Sequence, residues 1–161
     1  MSSESPPAVE HALGLAYAHL NRRDRTVAEL RIYLGKRGIH DDVAEVALDE
    51  LCDQGYLDDD RFARLFAQDK SHLEQWGNDR IRRALIGRGI PEHVADAAVG
   101  GGSESGELER ALALLERRFP AGCSGRPESQ RALGVLLRKG YDYELASDAL
   151  SEHRRRVGQA A

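Results

Sequence analysis

Apolar residues recur every three or four positions along most of the chain, which is the spacing of one face of an α-helix. The first run of this kind predicts a helix over residues 9–22. A second helix is predicted to begin at Thr26, where Thr-Val-Ala-Glu matches a capping box, and to end near Arg37. A third begins at Asp41 or Asp42, because negative charge is favourable at a helix N-terminus. No segment shows a convincing alternation with period two, so the pattern predicts an all-α protein.

The helical pattern is repeated at a fixed interval. Gly38, Gly89 and Gly140 stand 51 residues apart, and each follows a basic residue and precedes a large apolar one. The same interval relates Leu34, Leu85 and Leu136; Val43, Val94 and Leu145; Ala44, Ala95 and Ala146; Ala47, Ala98 and Ala149; and Leu48, Val99 and Leu150. A repeat of this length predicts three tandem three-helix units, similar to helix-turn-helix bundles, in an elongated, curved array.

The breaks in the pattern divide the chain into units. Asp58 is a predicted N-cap of the second unit, and Pro91 suits the first turn of that unit's third helix. The expected divisions are a disordered tail over 1–8, units over 9–55 and 56–99, a Gly/Ser linker over 100–106, a third unit over 107–156 and a disordered tail over 157–161.

Composition excludes several classes of protein. The chain has 161 residues and a net charge of −4, whereas a free-standing DNA-binding protein is usually basic overall. The two cysteines, Cys52 and Cys123, form no disulfide framework and fit a reducing compartment. Residues 1–8 lack the apolar segment of a secretory signal, and no stretch approaches the about 18 apolar residues of a membrane helix. We therefore expect a cytoplasmic protein that does not contact a membrane.

Charge is divided between the second and third helices of each unit. Residues 22–37 carry six basic and two acidic side chains, whereas residues 41–53 carry six acidic ones and no basic one. The second helices of the other units, within residues 79–88 and 126–139, each have a balance of +3. Basic residues near a helix C-terminus also suit the helix dipole, which explains any one of these helices structurally. Because the basic balance recurs in all three units, a functional stripe of basic residues explains it as well as the helix dipole does.

The sequence contains no catalytic or metal-binding constellation. The six histidines form no HxxxH pair, and no GxSxG or Walker sequence occurs. The run Asp58-Asp59-Asp60 lacks the spacing of a calcium loop and is interpreted as helix capping. The segment 100–106 lacks the lysine of a phosphate loop, which favours a linker. We expect no enzyme activity and no cofactor or metal, and we interpret Trp76 as a core residue rather than a stacking platform.

Several motifs occur together along the chain. They are Arg22-Arg23-Asp24-Arg25-Thr26-Val27-Ala28-Glu29-Leu30; Leu34 with Lys36-Arg37-Gly38; Gly55-Tyr56-Leu57-Asp58-Asp59-Asp60-Arg61-Phe62-Ala63; Gly77 with Arg80-Ile81, Leu85 and Arg88-Gly89-Ile90; and Leu136-Leu137-Arg138-Lys139-Gly140-Tyr141. In combination they resemble the RecX family, the bacterial regulators of the RecA recombinase, over residues 9–153. The resemblance implies binding to RecA, chiefly as filaments on single-stranded DNA. It also implies modulation, usually inhibition, of strand exchange, ATP hydrolysis and coprotease activity, and hence roles in recombination, DNA repair and the SOS response.

Two sets of candidate residues follow. The expected partner-binding residues lie on the second helices and would make electrostatic contacts: Arg31, Lys36, Arg37, Arg80, Arg83, Arg88, Arg131, Arg138 and Lys139. The residues that match the family motif, and are expected to be mainly structural, are Gly55, Tyr56, Leu57, Asp58, Asp59, Phe62, Ala63, Gly77, Gly89 and Ile90. We expect a monomer that binds RecA and its filament, with weak non-specific nucleic-acid contact. The alternatives are a helix-turn-helix protein acting directly on duplex DNA and a structural scaffold with no DNA role.

Overall fold

The computed structural model describes residues 6–102 and 104–160, with the side chains of residues 104 and 105 left aside. Nine α-helices and no strand lie in these ranges, so the all-α prediction is confirmed. The helices are α1 Pro7–Leu20, α2 Val27–Lys36, α3 Asp41–Asp53, α4 Asp59–His72, α5 Asn78–Gly87, α6 Glu92–Gly100, α7 Glu104–Arg118, α8 Arg126–Lys139 and α9 Tyr143–Ala160.

The helices form three modules, and each module has its own hydrophobic core. Module 1 contains α1 to α3, module 2 contains α4 to α6, and module 3 contains α7 to α9. The repeated positions Leu34, Leu85 and Leu136 are fully buried, one in each core. The predicted tandem repeat of three-helix units is therefore confirmed.

Short-range signals set most helix ends. Thr26 Oγ1 accepts the Glu29 N–H at 3.1 Å, and a Glu29 carboxylate oxygen accepts the Thr26 N–H at 3.1 Å, which is the predicted capping box. Asp58 Oδ1 accepts the Arg61 N–H at 2.9 Å and caps α4. Gly38 and Gly140, which end α2 and α8, adopt φ values of +79° and +92°. These are left-handed conformations that glycine adopts without steric cost.

The structure differs from the sequence expectations at several boundaries. Leu57 was assigned to the second unit but packs in the core of module 1. Pro91 is the N-cap of α6 rather than a residue of its first turn. Within the expected linker, α6 continues to Gly100 and α7 begins at Glu104, while Ser103 lies outside the described residues. The last helix also continues past residue 156 to Ala160, where Val157 lies against Gly122.

The expected N-terminal tail falls largely outside the described residues, since residues 1–5 are not among them. The helix α1 begins at Pro7, two residues before the predicted start. Proline is favourable at this first helical position, because its missing N–H would have no partner there and its φ is already helical.

The joint between modules 1 and 2 brings two second helices end to end. The Thr26 hydroxyl, at the start of α2, donates to the carbonyl of Arg88, just past the end of α5, at 2.7 Å. The Arg88 guanidinium donates two hydrogen bonds to the Glu29 carboxylate, at 2.7 and 3.1 Å. Gly89 packs so closely on Ala28 that an added Cβ would lie 2.3 Å from the Ala28 Cβ. The C-terminal end of α5 is thereby seated on the N-terminal end of α2.

The family motif at the start of module 2 completes this joint. Asp59, at the first position of α4, accepts the Val27 N–H at 3.0 Å and so caps α2 in the preceding module. The Arg88 guanidinium lies 4.6 Å from the centre of the Phe62 ring. Burial of the Asp59 carboxyl raises its pKa, and this effect is larger than the opposite effect of the hydrogen bond from the Val27 N–H. The carboxylate therefore serves the module interface rather than a cation site.

The joint between modules 2 and 3 has the same plan. The Gly77 N–H, at the start of α5, donates to the carbonyl of Lys139, at the end of α8, at 2.8 Å. The Asn78 N–H donates to Glu107 of α7 at 2.8 Å, as Val27 does to Asp59. The Tyr141 hydroxyl adds a hydrogen bond of 2.9 Å to the Gln75 carbonyl.

The joint is itself repeated at the 51-residue interval. That interval relates Thr26 to Gly77, Val27 to Asn78 and Arg88 to Lys139, which are among the residues that bond across the two joints. The helices α8, α5 and α2 consequently follow one another end to end, in a line that we call the second-helix row. Each helix in the row meets the next with its negative C-terminal end against a positive N-terminal end, which is favourable.

Alanine at Gly89 tests the packing of the joint against a matched control at Gly38. Both glycines have a positive φ, but a Cβ added to Gly38 meets nothing within 4 Å. We expect Gly38→Ala to lower the free energy of unfolding by about 1 kcal/mol, through backbone strain alone. Gly89→Ala should lower it by about 1–3 kcal/mol more, because Ala28 and the backbone must move. Urea denaturation followed by circular dichroism measures both, and equal losses would contradict a tightly packed joint.

Alanine at Arg88 tests the ion pair across the same joint, with Arg31 as the control. The side chains of Arg88 and Glu29 are 24% and 22% exposed, whereas those of Arg31 and its partner Glu45 are 48% and 49% exposed. We expect Arg88→Ala to lower the free energy of unfolding by about 1.5–3 kcal/mol, since it removes charged hydrogen bonds from a partly buried site. Arg31→Ala should cost less than about 1 kcal/mol, because its pair is well solvated.

The Arg88 pair also has a defined pH dependence. Burial alone would raise the pKa of Glu29, but the hydrogen bonds from Arg88 and Thr26 outweigh it and leave that pKa below its usual value. The stabilisation is therefore complete above the usual carboxyl pKa and is lost as the pH falls through the lowered pKa of Glu29. The difference between the parent protein and Arg88→Ala should shrink over this acid range. A constant difference in denaturation experiments down to that range would contradict the assignment.

Candidate partner-binding surface

The second-helix row carries the nine basic residues proposed from the sequence, and the structure separates them into two groups. Five have exposed side chains with no ion-pair partner within the described ranges: Lys36, Arg37, Arg83, Arg131 and Arg138. Four form ion pairs or hydrogen bonds with other parts of the chain: Arg31, Arg80, Arg88 and Lys139. The first group spans all three modules, so cationic side chains are exposed along the whole row.

A repeated ion pair between the second and third helices explains part of the charge division. Arg31 of α2 pairs with Glu45 of α3, and Arg82 of α5 pairs with Asp96 of α6, each at 2.5 Å. Both members of the second pair stand 51 residues after those of the first. The hydrogen bond with Glu45 raises the pKa of Arg31, and the one with Asp96 raises the pKa of Arg82. The acidic helices α3 and α6 therefore neutralise one cation each, on α2 and α5 respectively.

Module 3 lacks this pair and has an open cleft instead. Leu133 and Ser147 occupy the positions that correspond to Arg31 and Glu45. The cleft between α8 and α9 has a volume of about 750 Å³, and Leu133, Ser147 and Arg154 are among the residues that line it.

Arg80 and Lys139 belong to the joint between modules 2 and 3. The Arg80 guanidinium lies 3.9 Å from the centre of the Trp76 ring and donates to the Arg138 carbonyl at 3.2 Å. The Lys139 ammonium donates to the Glu74 carbonyl at 2.8 Å. Both cations are half-buried, so they are less accessible to a partner than Arg83 or Arg131.

Trp76 packs against the core of module 2, as the sequence analysis predicted. Its ring is covered by Arg80 and by the Lys70 ammonium, which lies 4.8 Å from the ring centre. Cations on the ring of a half-buried tryptophan stabilise it electrostatically. They also occupy the space that a stacked base would need.

Module 1 carries cations near both ends of α2, and three of them are not among the candidates proposed from the sequence. Arg22, Arg23 and Arg25 lie in the turn before α2, and Lys36 and Arg37 lie at its C-terminal end. Burial, followed by the charges of Arg25, Arg22, Arg23 and Arg37, lowers the pKa of His19. These three arginines contribute to the +4 balance of residues 22–37, although they lie in the turn and not on the helix.

The residues that match the family motif have mainly structural positions. Gly77 and Gly89 lie in the joints, and Ala63 and Ile90 are buried in the core of module 2. Tyr56 is the exception, since it is 59% exposed, and its ring forms an edge-to-face pair with the Tyr17 ring, with ring centres 5.3 Å apart.

No site for a metal ion was found among the described residues: none of them form a group of three or more His, Cys, Asp or Glu side chains placed to hold one. In the same part of the chain, no helix combines the length and the apolar character needed to span a membrane.

Comparison with known proteins identifies all three modules. The family models for the first, second and third three-helix domains of RecX match residues 12–51, 58–99 and 105–150. The regulatory protein RecX of Mycobacterium avium (strain 104) is 31% identical over 165 residues, which cover 97% of this chain and 95% of that protein. The regulatory protein RecX of Mycolicibacterium vanbaalenii is 30% identical over 158 residues, with coverage of 93% and 86%.

A solved structure has the same fold. The crystal structure of RecX from Lactobacillus salivarius superimposes with a TM-score of 0.81 over 91% of this chain and 96% of that one, at 21% sequence identity. The three domains therefore agree in order, sequence and architecture, and this chain belongs to the RecX family of regulatory proteins.

Proposed function

We propose that this protein binds RecA, chiefly as filaments on single-stranded DNA, and inhibits its strand exchange, ATP hydrolysis and coprotease activity. The observation that supports the proposal best is the end-to-end arrangement of α8, α5 and α2. It connects the second helices of three modules, each of which carries exposed cations, and a filament is a partner with repeated, aligned binding sites. Family membership gives the partner class, and the row gives a surface of the appropriate form.

The exposed cations Arg37, Arg83, Arg131 and Arg138 would make electrostatic contacts with acidic protein surface or with phosphates in the filament. Such contacts steer association and set the register of a complex more than they add affinity. The protein would then inhibit RecA by occupying the filament groove or by favouring subunit loss. Arg88 is poorly accessible to a partner, because its side chain is only 24% exposed and Glu29 and Phe62 contact its guanidinium.

Direct action on duplex DNA is supported less well by the geometry. A helix-turn-helix protein places the N-terminal residues of one recognition helix in the major groove. The N-terminal ends of α2 and α5 are covered by the next module, and those of α3 and α6 carry Asp41, Asp42 and Glu92. Carboxylates in the first turn oppose the approach of a phosphate backbone.

Charge reversal along the row, compared with charge reversal elsewhere, tests the proposal. Arg83→Glu with Arg131→Glu changes two exposed cations of the row, and Arg64→Glu with Arg117→Glu changes two exposed cations on α4 and α7. RecA ATP hydrolysis on single-stranded DNA is measured with each protein. We expect the parent protein and the control to inhibit equally and the row variant to inhibit roughly tenfold more weakly, because reversed charges repel an acidic partner.

Two results would decide against parts of this proposal. No effect of the parent protein on RecA would remove RecA as the target. Equal inhibition by the parent and by the row variant, with unchanged helicity, would remove the row from the interface while leaving RecA as the partner.

A further inference from the structure

The C-terminal end of α2 resembles the helix ends that form the module joints, but no other part of the described chain packs against it. Gly89 and Gly140 end the second helices of modules 2 and 3, and each is packed against the preceding module. A Cβ added to them would lie 2.3 Å from Ala28 Cβ and 2.1 Å from Arg80 Cβ, respectively. Gly38 holds the same place in module 1, yet a Cβ added there meets nothing within 4 Å. The C-terminal end of α2 is therefore an uncovered copy of a surface that is covered twice elsewhere.

The same end of α2 has the hydrogen-bonding groups of that surface. The carbonyls of Arg88 and Lys139 accept hydrogen bonds from the preceding module, at 2.7 and 2.8 Å. The corresponding carbonyl of Arg37 has no hydrogen bond in the described structure. The Arg37 side chain, which corresponds to the Arg88 side chain that pairs with Glu29, lies only over the ring of Tyr33, at 5.2 Å.

The occupied joints define the chemistry of the missing partner. In each, the first turn of a helix meets the C-terminal end of the next module's second helix. In the joint of Arg88, the accepting helix has a donor at the N-cap, Thr26, a small side chain, Ala28, and a carboxylate at its third position, Glu29. A helix that begins in this way would match the end of α2.

Charge favours an acidic partner at this end. Lys36 and Arg37 are exposed and lack carboxylate partners in the described structure, and three further arginines lie in the turn before the other end of α2. Their effect is evident at His19, whose pKa is lowered first by burial and then by this group of arginines. A carboxylate in the first turn of a docked helix would meet this field as well as the Arg37 guanidinium.

The first amide of the docked helix would also need a cap. In the occupied joints Asp59, the first residue of α4, caps Val27, and Glu107, the fourth residue of α7, caps Asn78. The corresponding positions of α1 hold Pro7 and Glu10, so only the second of them offers a carboxylate in module 1. A second copy of the chain is a poor match. Its free helix start, on α8, has Arg126 at the first position and Pro127, which lacks an N–H, at the second.

We propose that the C-terminal end of α2, formed by Lys36, Arg37 and Gly38, is a docking site for the first turn of a helix of the recombinase with a carboxylate at its third position. The proposal rests on the function proposed above and assigns one contact within it. The contact reproduces between two proteins the joint that connects the modules within this one.

Asparagine at Gly38, with Gly55→Asn as the matched control, tests the docking site. Both glycines belong to module 1, have φ values of +79° and +78°, and have open space where a Cβ would lie. Asparagine tolerates this conformation, so both variants should fold with similar small losses of stability. Binding to RecA filaments on single-stranded DNA is measured by co-sedimentation. We expect Gly38→Asn to bind roughly tenfold more weakly than Gly55→Asn, because its side chain fills a contact with no spare space.

A charge test and a cross-link identify the occupant. Arg37→Glu should also weaken binding, whereas Arg117→Glu should not. A zero-length carbodiimide cross-link from Lys36 should join a carboxylate in the first turn of a recombinase helix. A cross-link to a second copy of this chain, or to a carboxylate elsewhere on RecA, would overturn the proposal.

The outcomes separate the two proposals. Filament binding by the parent protein that is unchanged in both Gly38→Asn and Arg37→Glu would overturn the docking site and leave RecA binding intact. Absence of filament binding by the parent protein would overturn both.

Discussion

The seating of one second helix on the next is the contact on which the rest of the structure depends. Each module has a core of its own, but neighbouring modules are connected by the C-terminal turn of one helix placed on the N-terminal turn of another. Only glycine fits the contact, since a Cβ at Gly89 or Gly140 would overlap the preceding module. The 51-residue interval thus has two structural causes. It places glycine at each joint, and it places equivalent apolar residues in the three cores.

This joint also accounts for the distribution of charge. A basic residue before each glycine suits the negative end of its helix, and in modules 2 and 3 the same residue binds the preceding module. The acidic third helices pair with a second cation, Arg31 or Arg82, and bring the net charge of the whole chain to −4. The sign of the total charge therefore says little about the row, whose helices each carry more basic than acidic side chains.

The sequence predicted what depends on neighbouring residues. The capping box at Thr26, the cap at Asp58 and the buried repeat position of Leu34, Leu85 and Leu136 are confirmed, because periodicity and capping are local. Contacts between modules could not be predicted in this way, because they join residues that are far apart in the sequence. Asp59 was expected to cap its own helix and instead caps α2, and Arg88 meets a glutamate 59 positions away. The helix ends at Glu104 and Ala160 also depart from expectation, and at Ala160 the preceding turn packs against a distant loop.

The size of the joint limits what a single copy of it can do between separate proteins. Within the chain, short connections hold the two halves at an effective concentration of about millimolar, so a small contact is sufficient. A separate partner has no such connection, and the loss of translational and rotational freedom then costs about 4–15 kcal/mol. One open joint at the end of α2 would therefore bind weakly by itself. Further contacts along α5 and α8 would have to act with it, which a filament with regularly repeated protomers can supply and an isolated helix cannot.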